Sequence, residues 1–359
     1  MLLSSKAQLR ILAKGDVGPQ PTSDLANRME RSRSFKLARS YPRLQEYHIG
    51  GLPRQFRLCR SSKLVRNFRL DIASHRPDLS SAYPTASILI TNKMRLIIRK
   101  TKQQTSQWVA EYIVHRINES RPTKDRPFVL GLPTGSSPEQ IYANLVDMYR
   151  SGKVSFENVV TFNMDEYVGI PTSHPQSYHS FMFKHLFQHV DIPPNQIHLP
   201  SLENYREYDN MIAKYGGIEL FLCGVGSDGH IAFNEPGSSL ASKTRVKTLT
   251  NDTIVANARF FNGNIDTVPK NAVTVGVKTV MDAREVILIA DGRGKAEAVR
   301  QAVEGNVSHV WTVTALQMHP KFIMAVDEAA TEELRVKTVK YFKDIEETSA
   351  ASGKFGPRL

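Results

Sequence analysis

Residues 218–236 read IELFLCGVGSDGHIAFNEP and join an apolar, strand-like run to a loop rich in chemically active side chains. The run IELFLCG has the near-continuous apolarity of a strand that is buried on both faces, as in parallel sheets. The loop after it places Asp228, His230 and Glu235 among glycines and before a proline. In open α/β sheets, ligands bind beyond the carboxyl ends of the strands. This segment therefore predicts both a parallel sheet and the edge at which its chemistry lies.

Further apolar runs alternate with helix-like segments on both sides of this stretch. The runs that read as strands are PFVLGL, NVVTFNM, AVTVGV, REVILIAD and KFIMAVDE, and segments such as SSPEQIYANLVDMYR and GKAEAVRQAVEG are typical of helices. This alternation predicts an α/β fold with a mainly parallel sheet covered on both faces. The stretches LPTGSSP, FNMDEY, GVGSDGH and ADGRGK end four of the strands, and we expect them at one edge of the sheet.

The basic charge of the chain is concentrated near its beginning. The 359 residues have a formal net charge of +12, whereas residues 1–93 alone hold 17 Lys and Arg against 6 Asp and Glu. Because the remainder is almost neutral, we expect no nucleic-acid partner. We expect residues 1–93 to be a disordered basic extension; a retained segment, a transit segment and a mis-assigned start all fit it. One domain over residues 94–345 and a flexible tail over 346–359 should follow.

Cysteine content and hydropathy indicate the compartment. Cys59 and Cys223 are the two cysteines of the chain, and neither belongs to a CxxC pair. We therefore expect neither a disulfide framework nor a cysteine zinc site. No apolar run approaches the ~18 residues that span a bilayer. The sequence thus predicts a cytoplasmic protein without membrane contact.

The stretch LPTGSSPEQ follows a strand and opens a helix. Gly135, Ser136 and Ser137 could present backbone N–H groups and hydroxyls to an anion such as phosphate at the helix N-terminus. The stretch is neither a Walker P-loop nor a GxGxxG fingerprint, so nucleotide binding is not implied. An ordinary capping turn with Pro138 at the first helical position explains the same residues equally well.

Two acids and one histidine are candidates for proton transfer. Asp165 ends the strand-like run in FNMDEY, where a carboxylate could act as a general base. Adjacent acids such as Asp165 and Glu166 more often form a helix N-terminal or solvated pair. His230 lies between Asp228 and Glu235, which could fix its tautomer. A structural loop histidine is the simpler interpretation of that motif by itself.

Metal and serine-nucleophile chemistry find less support in the sequence. No HExxH motif or second histidine accompanies His230, and Ser227 lacks the second glycine of a GxSxG elbow. Arg259 and Lys295, each more often a surface cation when taken alone, together suggest a clamp for a phosphate. A metal-free acid–base site that binds an anion is the pattern these residues share.

In order along the chain, LPTGSSP, TFNMDEYVG, GVGSDGHIAFNEP, TLTNDTIVANARFF and AVEGNVSHVWTVTALQMHP closely resemble the glucosamine-6-phosphate deaminases. The similarity extends from Met94 to about Phe342. It implies a modified Rossmann-like three-layer sandwich, shared with ribose-5-phosphate isomerases and 6-phosphogluconolactonases. It also implies the conversion of D-glucosamine 6-phosphate to fructose 6-phosphate and ammonia, with no metal or organic cofactor.

The resemblance assigns a role to each candidate residue. In that family, the histidine matching His230 opens the sugar ring while the carboxylates matching Asp228 and Glu235 hold it. The aspartate matching Asp165 moves the C2 proton to C1 through an enolamine. The residues that match the family's phosphate anchor are Gly135, Ser136, Ser137, Arg259 and Lys295.

The resemblance also implies regulation and assembly. Regulated members of the family are hexamers that bind N-acetylglucosamine 6-phosphate between subunits. The matching positions here are Ser238, Arg245, Lys247, Thr248 and Tyr341. We therefore expect a homohexamer with an effector site. Relatives begin near Met94, and in some of them the free N-terminal amine contributes to that site, which a retained extension over residues 1–93 would remove.

Two other functions fit parts of the sequence. One is a 6-phosphogluconolactonase-like hydrolase, although the NMDEY and FNEP segments fit the deaminase better. The other is a sugar-phosphate-sensing transcriptional regulator with an N-terminal DNA-binding module, but residues 1–93 show no helix-turn-helix pattern. A sensor also has little use for four acid–base residues together.

Overall fold

The computed structural model describes residues 94–351, so the expectations for residues 1–93 and 352–359 lie outside the described part. Within it lie ten strands: β1 (Arg95–Arg99), β2 (Phe128–Leu132), β3 (Val159–Asn163), β4 (Asp165–Tyr167), β5 (Ile197–His198), β6 (Leu220–Gly224), β7 (Arg245–Thr248), β8 (Asn271–Thr274), β9 (Val286–Ala290) and β10 (Phe322–Asp327). The same residues form eight α-helices: α1 (Lys102–Ser120), α2 (Glu139–Arg150), α3 (Tyr178–His185), α4 (Tyr208–Lys214), α5 (Asn251–Ala258), α6 (Val277–Met281), α7 (Ala296–Glu304) and α8 (Val336–Ala351).

Seven of these strands form one sheet in the order β1-β10-β9-β6-β2-β3-β5. Every neighbouring pair in it is parallel. The chain runs outward from β2 through β3 to β5 and then returns to β6 on the other side of β2. The strand order therefore reverses between β2 and β6, and a crevice that can hold a ligand is expected at such a point.

Helices cover both faces of this sheet, which makes three layers. Along β2, Val129 packs into one apolar core and Leu130 into the other, because successive side chains of a strand point to opposite faces. Residues of α4, α6, α7 and α8 contribute to the first core. Residues of α1, α2 and α3 contribute to the second. The expected α/β fold with a mainly parallel sheet is confirmed.

The centre of the sheet is packed tightly at the crevice. Gly131 of β2 is paired with Phe221 of β6, and a Cβ added at Gly131 would lie 2.3 Å from the Phe221 ring. Since a side chain of any size would force these strands apart, the glycine allows the close approach.

A second, three-stranded antiparallel sheet has the order β4-β8-β7. Its first strand, β4, begins only two residues after β3 ends, so the chain passes directly from one sheet to the other. Its small core includes Tyr167, Phe233, Ile254 and Phe261. This sheet places Asp165 where the two sheets meet.

Helix α8 extends into the range 346–359, for which a flexible tail is expected. Residues 346–351 continue the helix, and Arg95 donates two hydrogen bonds of 3.0 Å to the carboxylate of Glu346. This ion pair ties the helix to the edge strand β1. Among residues 94–351, no helix is both long and apolar enough to cross a bilayer.

Candidate active site

The four stretches predicted to lie at the carboxyl ends of strands follow four strands that are consecutive neighbours in the sheet. LPTGSSP follows β2, FNMDEY follows β3, GVGSDGH follows β6 and ADGRGK follows β9, and the sheet order at this place is β9-β6-β2-β3. Because these strands are parallel, their carboxyl ends lie at one edge. The structure therefore brings the stretches together as expected, on both sides of the crevice between β2 and β6.

Asp165 is a buried carboxylate without a hydrogen-bonding partner among residues 94–351. It opens β4 and is 7% exposed. Burial, and after it the charge of Glu166, raises its pKa from 3.8 to about 8. A carboxyl group in such an environment is a stronger base than one in water and titrates near neutral pH.

Glu166 has a different role from its neighbour, although the two acids are adjacent. Its carboxylate accepts backbone N–H hydrogen bonds from Tyr167 at 2.9 Å, Tyr178 at 3.0 Å and His179 at 2.9 Å. Tyr178 and His179 open α3, so Glu166 occupies the N-terminus of a helix. The two acids thus form no solvated pair: Glu166 is a structural anchor, and Asp165 is left free.

The surroundings of Asp165 include side chains that sequence reasoning missed. Burial first, and then the charge of Asp165, raises the pKa of Tyr142, Tyr208 and Cys223. The Tyr142 hydroxyl donates to the carbonyl of Pro133 and so holds the loop after β2. In the sequence, these three residues stand out only by their apolar neighbours, and every core residue has such neighbours.

His230 and Asp228 form a close pair in the loop after β6. Nδ1 of His230 lies 2.6 Å from Oδ1 of Asp228. Burial alone would raise the pKa of Asp228, but the contact with His230 outweighs it and the pKa lies below its ordinary value. A Cβ at Gly226 would lie 2.4 Å from the His230 ring, so this glycine leaves room for the pair.

Glu235 binds groups at the N-terminus of α5. It is 2% exposed, and its Oε1 accepts hydrogen bonds from the Thr250 N–H at 3.0 Å, the Thr250 hydroxyl at 2.9 Å and the Thr253 hydroxyl. No hydrogen bond or ion pair joins its side chain to His230 within residues 94–351. The buried side chain of Asn234 donates to the carbonyls of Ile231 and Val275 and so directs the chain away from the histidine loop. Glu235 therefore secures the N-terminus of α5 through Thr250 and Thr253.

The loop after β2 presents free hydroxyls. Helix α2 begins at Glu139 with Pro138 as its N-cap, and no side chain caps it. Neither Ser136 nor Ser137 donates a side-chain hydrogen bond to any residue of 94–351. The capping-turn interpretation is thus wrong, and both hydroxyls are available to a ligand. Gly135 has a φ of +103°, which an L side chain rarely adopts.

The two expected clamp cations lie within electrostatic range of one another. Burial lowers the pKa of Lys295, the charges of Asp291 and Asp228 oppose this, and Arg259 lowers it further. The guanidinium of Arg259, at the end of α5, lies 4.7 Å from the centre of the Phe260 ring. Lys295 therefore lies near both the second cation and the aspartate that pairs with His230. Across residues 94–351, no three His, Cys, Asp or Glu side chains form a metal-binding group.

The expected effector residues occupy three separate elements. Arg245, Lys247 and Thr248 lie on β7, the edge strand of the small sheet. Ser238 is buried, and its hydroxyl has no partner within the described range. Tyr341 is exposed on α8. No contact within residues 94–351 joins Tyr341 to the others.

The sheet carries a free buried carboxylate, an aspartate–histidine pair and two cations at one edge. These features define the class of α/β enzymes that act on small anionic molecules. The sequence model of the family described as Glucosamine-6-phosphate isomerases/6-phosphogluconolactonase matches residues 100–324. The chain belongs to this family, and the prediction drawn from its motifs is confirmed.

Similar proteins carry related names. The glucosamine-6-phosphate deaminase of Treponema denticola is 59% identical over 259 residues, which cover 70% of this chain and 96% of that protein. The glucosamine-6-phosphate deaminase of Cronobacter sakazakii is 57% identical over 259 residues, covering 70% and 97%. A solved structure of a monomeric glucosamine-6-phosphate deaminase matches with a TM-score of 0.64 at 37% identity, covering 67% of this chain and 100% of the other.

The raised pKa of Asp165 makes the folded chain less stable as the pH rises. The folded state binds the proton more tightly than the unfolded state, so stability falls between the unfolded pKa near 3.8 and the folded pKa of about 8. We expect Asp165→Asn to be more stable than the wild type by about 1–2 kcal/mol above pH 8. The difference should close near pH 4. Urea unfolding at both pH values measures this, and equal pH dependence in the two proteins would contradict it.

Proposed function

We propose that the chain converts D-glucosamine 6-phosphate and water to D-fructose 6-phosphate and ammonia. The observation that carries the proposal is the buried, unpartnered carboxylate of Asp165 at the same sheet edge as the His230–Asp228 pair and two cations. Its pKa of about 8 suits a group that must take up a proton and return it at neutral pH. Relatives at 59% and 57% identity bear the name of this activity.

The phosphate of the substrate binds at the loop after β2 and at the two cations. The hydroxyls of Ser136 and Ser137 donate to its oxygens, and Arg259 and Lys295 balance its charge. Burial lowers the pKa of Lys295, and the negative charge of a bound dianion would raise it. This anchoring is remote from the reacting carbons and serves to orient them.

Ring opening uses the histidine loop. Asp228 holds Nδ1 of His230 at 2.6 Å, which leaves Nε2 to exchange a proton with the sugar. The imidazole takes the proton of the C1 hydroxyl and returns one to the ring oxygen, so the C1–O bond of the ring breaks and the open-chain aldehyde forms. The negative charge of Asp228 stabilises the imidazolium during this exchange.

Asp165 then moves a proton between adjacent carbons. Its carboxylate removes the C2 proton while the ammonium group on C2 gives a proton to the C1 oxygen, which forms an enolamine, and the resulting carboxylic acid returns its proton to C1. The C2 imine that results adds water and releases ammonia, which leaves the ketose. One carboxylate can serve both carbons because they are neighbours, and burial limits exchange of its proton with water.

Glu235 acts by positioning in this scheme. It holds Thr250 and Thr253 at the start of α5, and Arg259 lies at the end of that helix. The histidine loop and the helix that carries the phosphate-binding arginine are thereby joined through one carboxylate.

Ammonia release from D-glucosamine 6-phosphate by the purified full chain tests the proposal. We expect Asp165→Asn to lower kcat by about 10³-fold with KM changed less than about threefold, because the base is lost and the phosphate anchor is kept. For the wild type, kcat/KM should rise with pH towards about 8, where Asp165 ionises. Hydrolysis of 6-phosphogluconolactone without ammonia release from the amino sugar would overturn it.

The ring-opening role of His230 predicts a dependence on the form of the substrate. His230→Gln removes the proton exchange at Nε2 but leaves Asp165 in place, so we expect a loss of about 10²-fold on the closed sugar and a smaller loss on an open-chain analogue. Pre-steady-state rates on the two forms measure this. An equal loss on both would show that His230 acts at another step.

We also propose that the chain is a homohexamer activated by N-acetylglucosamine 6-phosphate. Support comes from the residues named above, since β7 offers two cations and a hydroxyl on an exposed edge strand and Ser238 has a free buried hydroxyl. A separate phosphate site on this strand requires a second subunit to bring Tyr341 near. We expect a mass of six chains by light scattering and a lower KM with the effector. A monomer, like the relative at 37% identity, would contradict the assembly.

A further inference from the structure

Lys102 is a cation at the site edge to which the motifs assign no role. It is the first residue of α1, and its ammonium lies 3.0 Å from Oδ2 of Asp291 and donates to the carbonyl of Ser136 at 2.9 Å. Ser136 belongs to the loop after β2, and Asp291 directly follows β9. One side chain thus contacts both loops that carry the proposed phosphate ligands.

The strand order shows what this contact spans. Strand β6 lies between β9 and β2, and its following loop carries Asp228 and His230. The two loops held by Lys102 are therefore not neighbours in the sheet and have no backbone ladder between them. Their spacing across the histidine loop depends on side-chain contacts, of which Lys102 makes two.

The contact with Ser136 also fixes a backbone donor. A peptide group is planar and trans, so the N–H of Ser137 points opposite to the carbonyl of Ser136. Holding that carbonyl on the ammonium of Lys102 sets the direction of the Ser137 N–H. This matters because no atom lies within 4 Å of the place where a Cβ at Gly135 would stand, so little packs against the loop at that residue.

Asp291 completes the arrangement on the other side. Its Oδ1 is buried without a hydrogen-bonding partner in the described part of the chain. Its charge lies within range of Lys295. Without Lys102, Asp291 would place an unbalanced negative charge beside a bound anion.

We propose that Lys102, Asp291 and the Ser136 carbonyl form a brace that sets the spacing of the two halves of the phosphate site. Lys102 is then a positioning residue for the phosphate group of the substrate, acting through Ser136 and Asp291. The inference rests on the proposed function for the identity of the substrate. Its geometry requires only that an anion binds between the two loops.

Lys102→Met in the full chain tests the brace. We expect KM for D-glucosamine 6-phosphate to rise about tenfold, because the carbonyl is released and Asp291 repels the phosphate, while kcat changes less than about threefold. Lys102→Arg keeps the charge and donors and should recover most of the affinity. Lys100→Met is the matched control, since it removes a cation two residues away that makes no side-chain ion pair within residues 94–351. Its KM should match the wild type.

A double-variant cycle separates the brace from a direct phosphate contact. If Lys102 acts through Asp291, Lys102→Met combined with Asp291→Asn should raise KM no more than Lys102→Met alone. Fully additive effects would overturn the brace, because Lys102 would then act on the anion independently. A wild-type KM in Lys102→Met, or an equal rise in Lys100→Met, would also overturn it.

Inorganic phosphate gives a readout that does not depend on turnover. Phosphate should raise the midpoint of thermal unfolding of the wild type and of Lys100→Met, and raise that of Lys102→Met less. An equal rise in all three would overturn the brace. If the wild type releases no ammonia from the amino sugar, the proposed function fails, and the phosphate measurement still decides the brace.

Discussion

The desolvated charge of Asp165 is the constraint on which the rest of the site depends. A carboxylate that is buried without hydrogen-bond donors is unfavourable in its ionised form, and its pKa of about 8 expresses this. The fold tolerates it because Asp165 opens a strand, β4, whose backbone pairs with β8 while the side chain stays free. A reactive base is thus held by backbone contacts alone, and its side chain is left for chemistry.

Acidic residues that lie close in sequence have different roles here because each one meets different hydrogen-bond donors. Glu166 receives three backbone N–H groups and secures α3, whereas Asp165 receives none. In the next motif, Asp228 contacts His230, whereas Glu235 secures α5. In each pair one carboxylate is structural and one faces the chemistry. The structural member holds the elements that keep the other in place.

The reversal of strand order explains why the site forms where it does. A ligand-binding crevice is expected where the order reverses, between β2 and β6, and the loops of β9 and β3 lie on either side. Parallel strands hold their carboxyl ends at one edge but do not join the loops that follow them. The contacts of Lys102 join two of these loops, and the Tyr142 hydroxyl holds the loop after β2 against α2. Backbone pairing thus positions the strands, and side-chain contacts set the spacing of the loops that follow them.

Apolar runs and their spacing, together with the motifs that end them, were enough to predict the α/β class, the parallel sheet and the edge that carries the chemistry. These features are local, since a strand and the loop after it are contiguous in the chain. The partners of Glu235, the free hydroxyls of Ser136 and Ser137, and the contacts of Lys102 appeared only in the folded structure. They depend on which strands become neighbours and on how the loops turn. That order is set by packing between distant segments, which no short stretch of residues encodes.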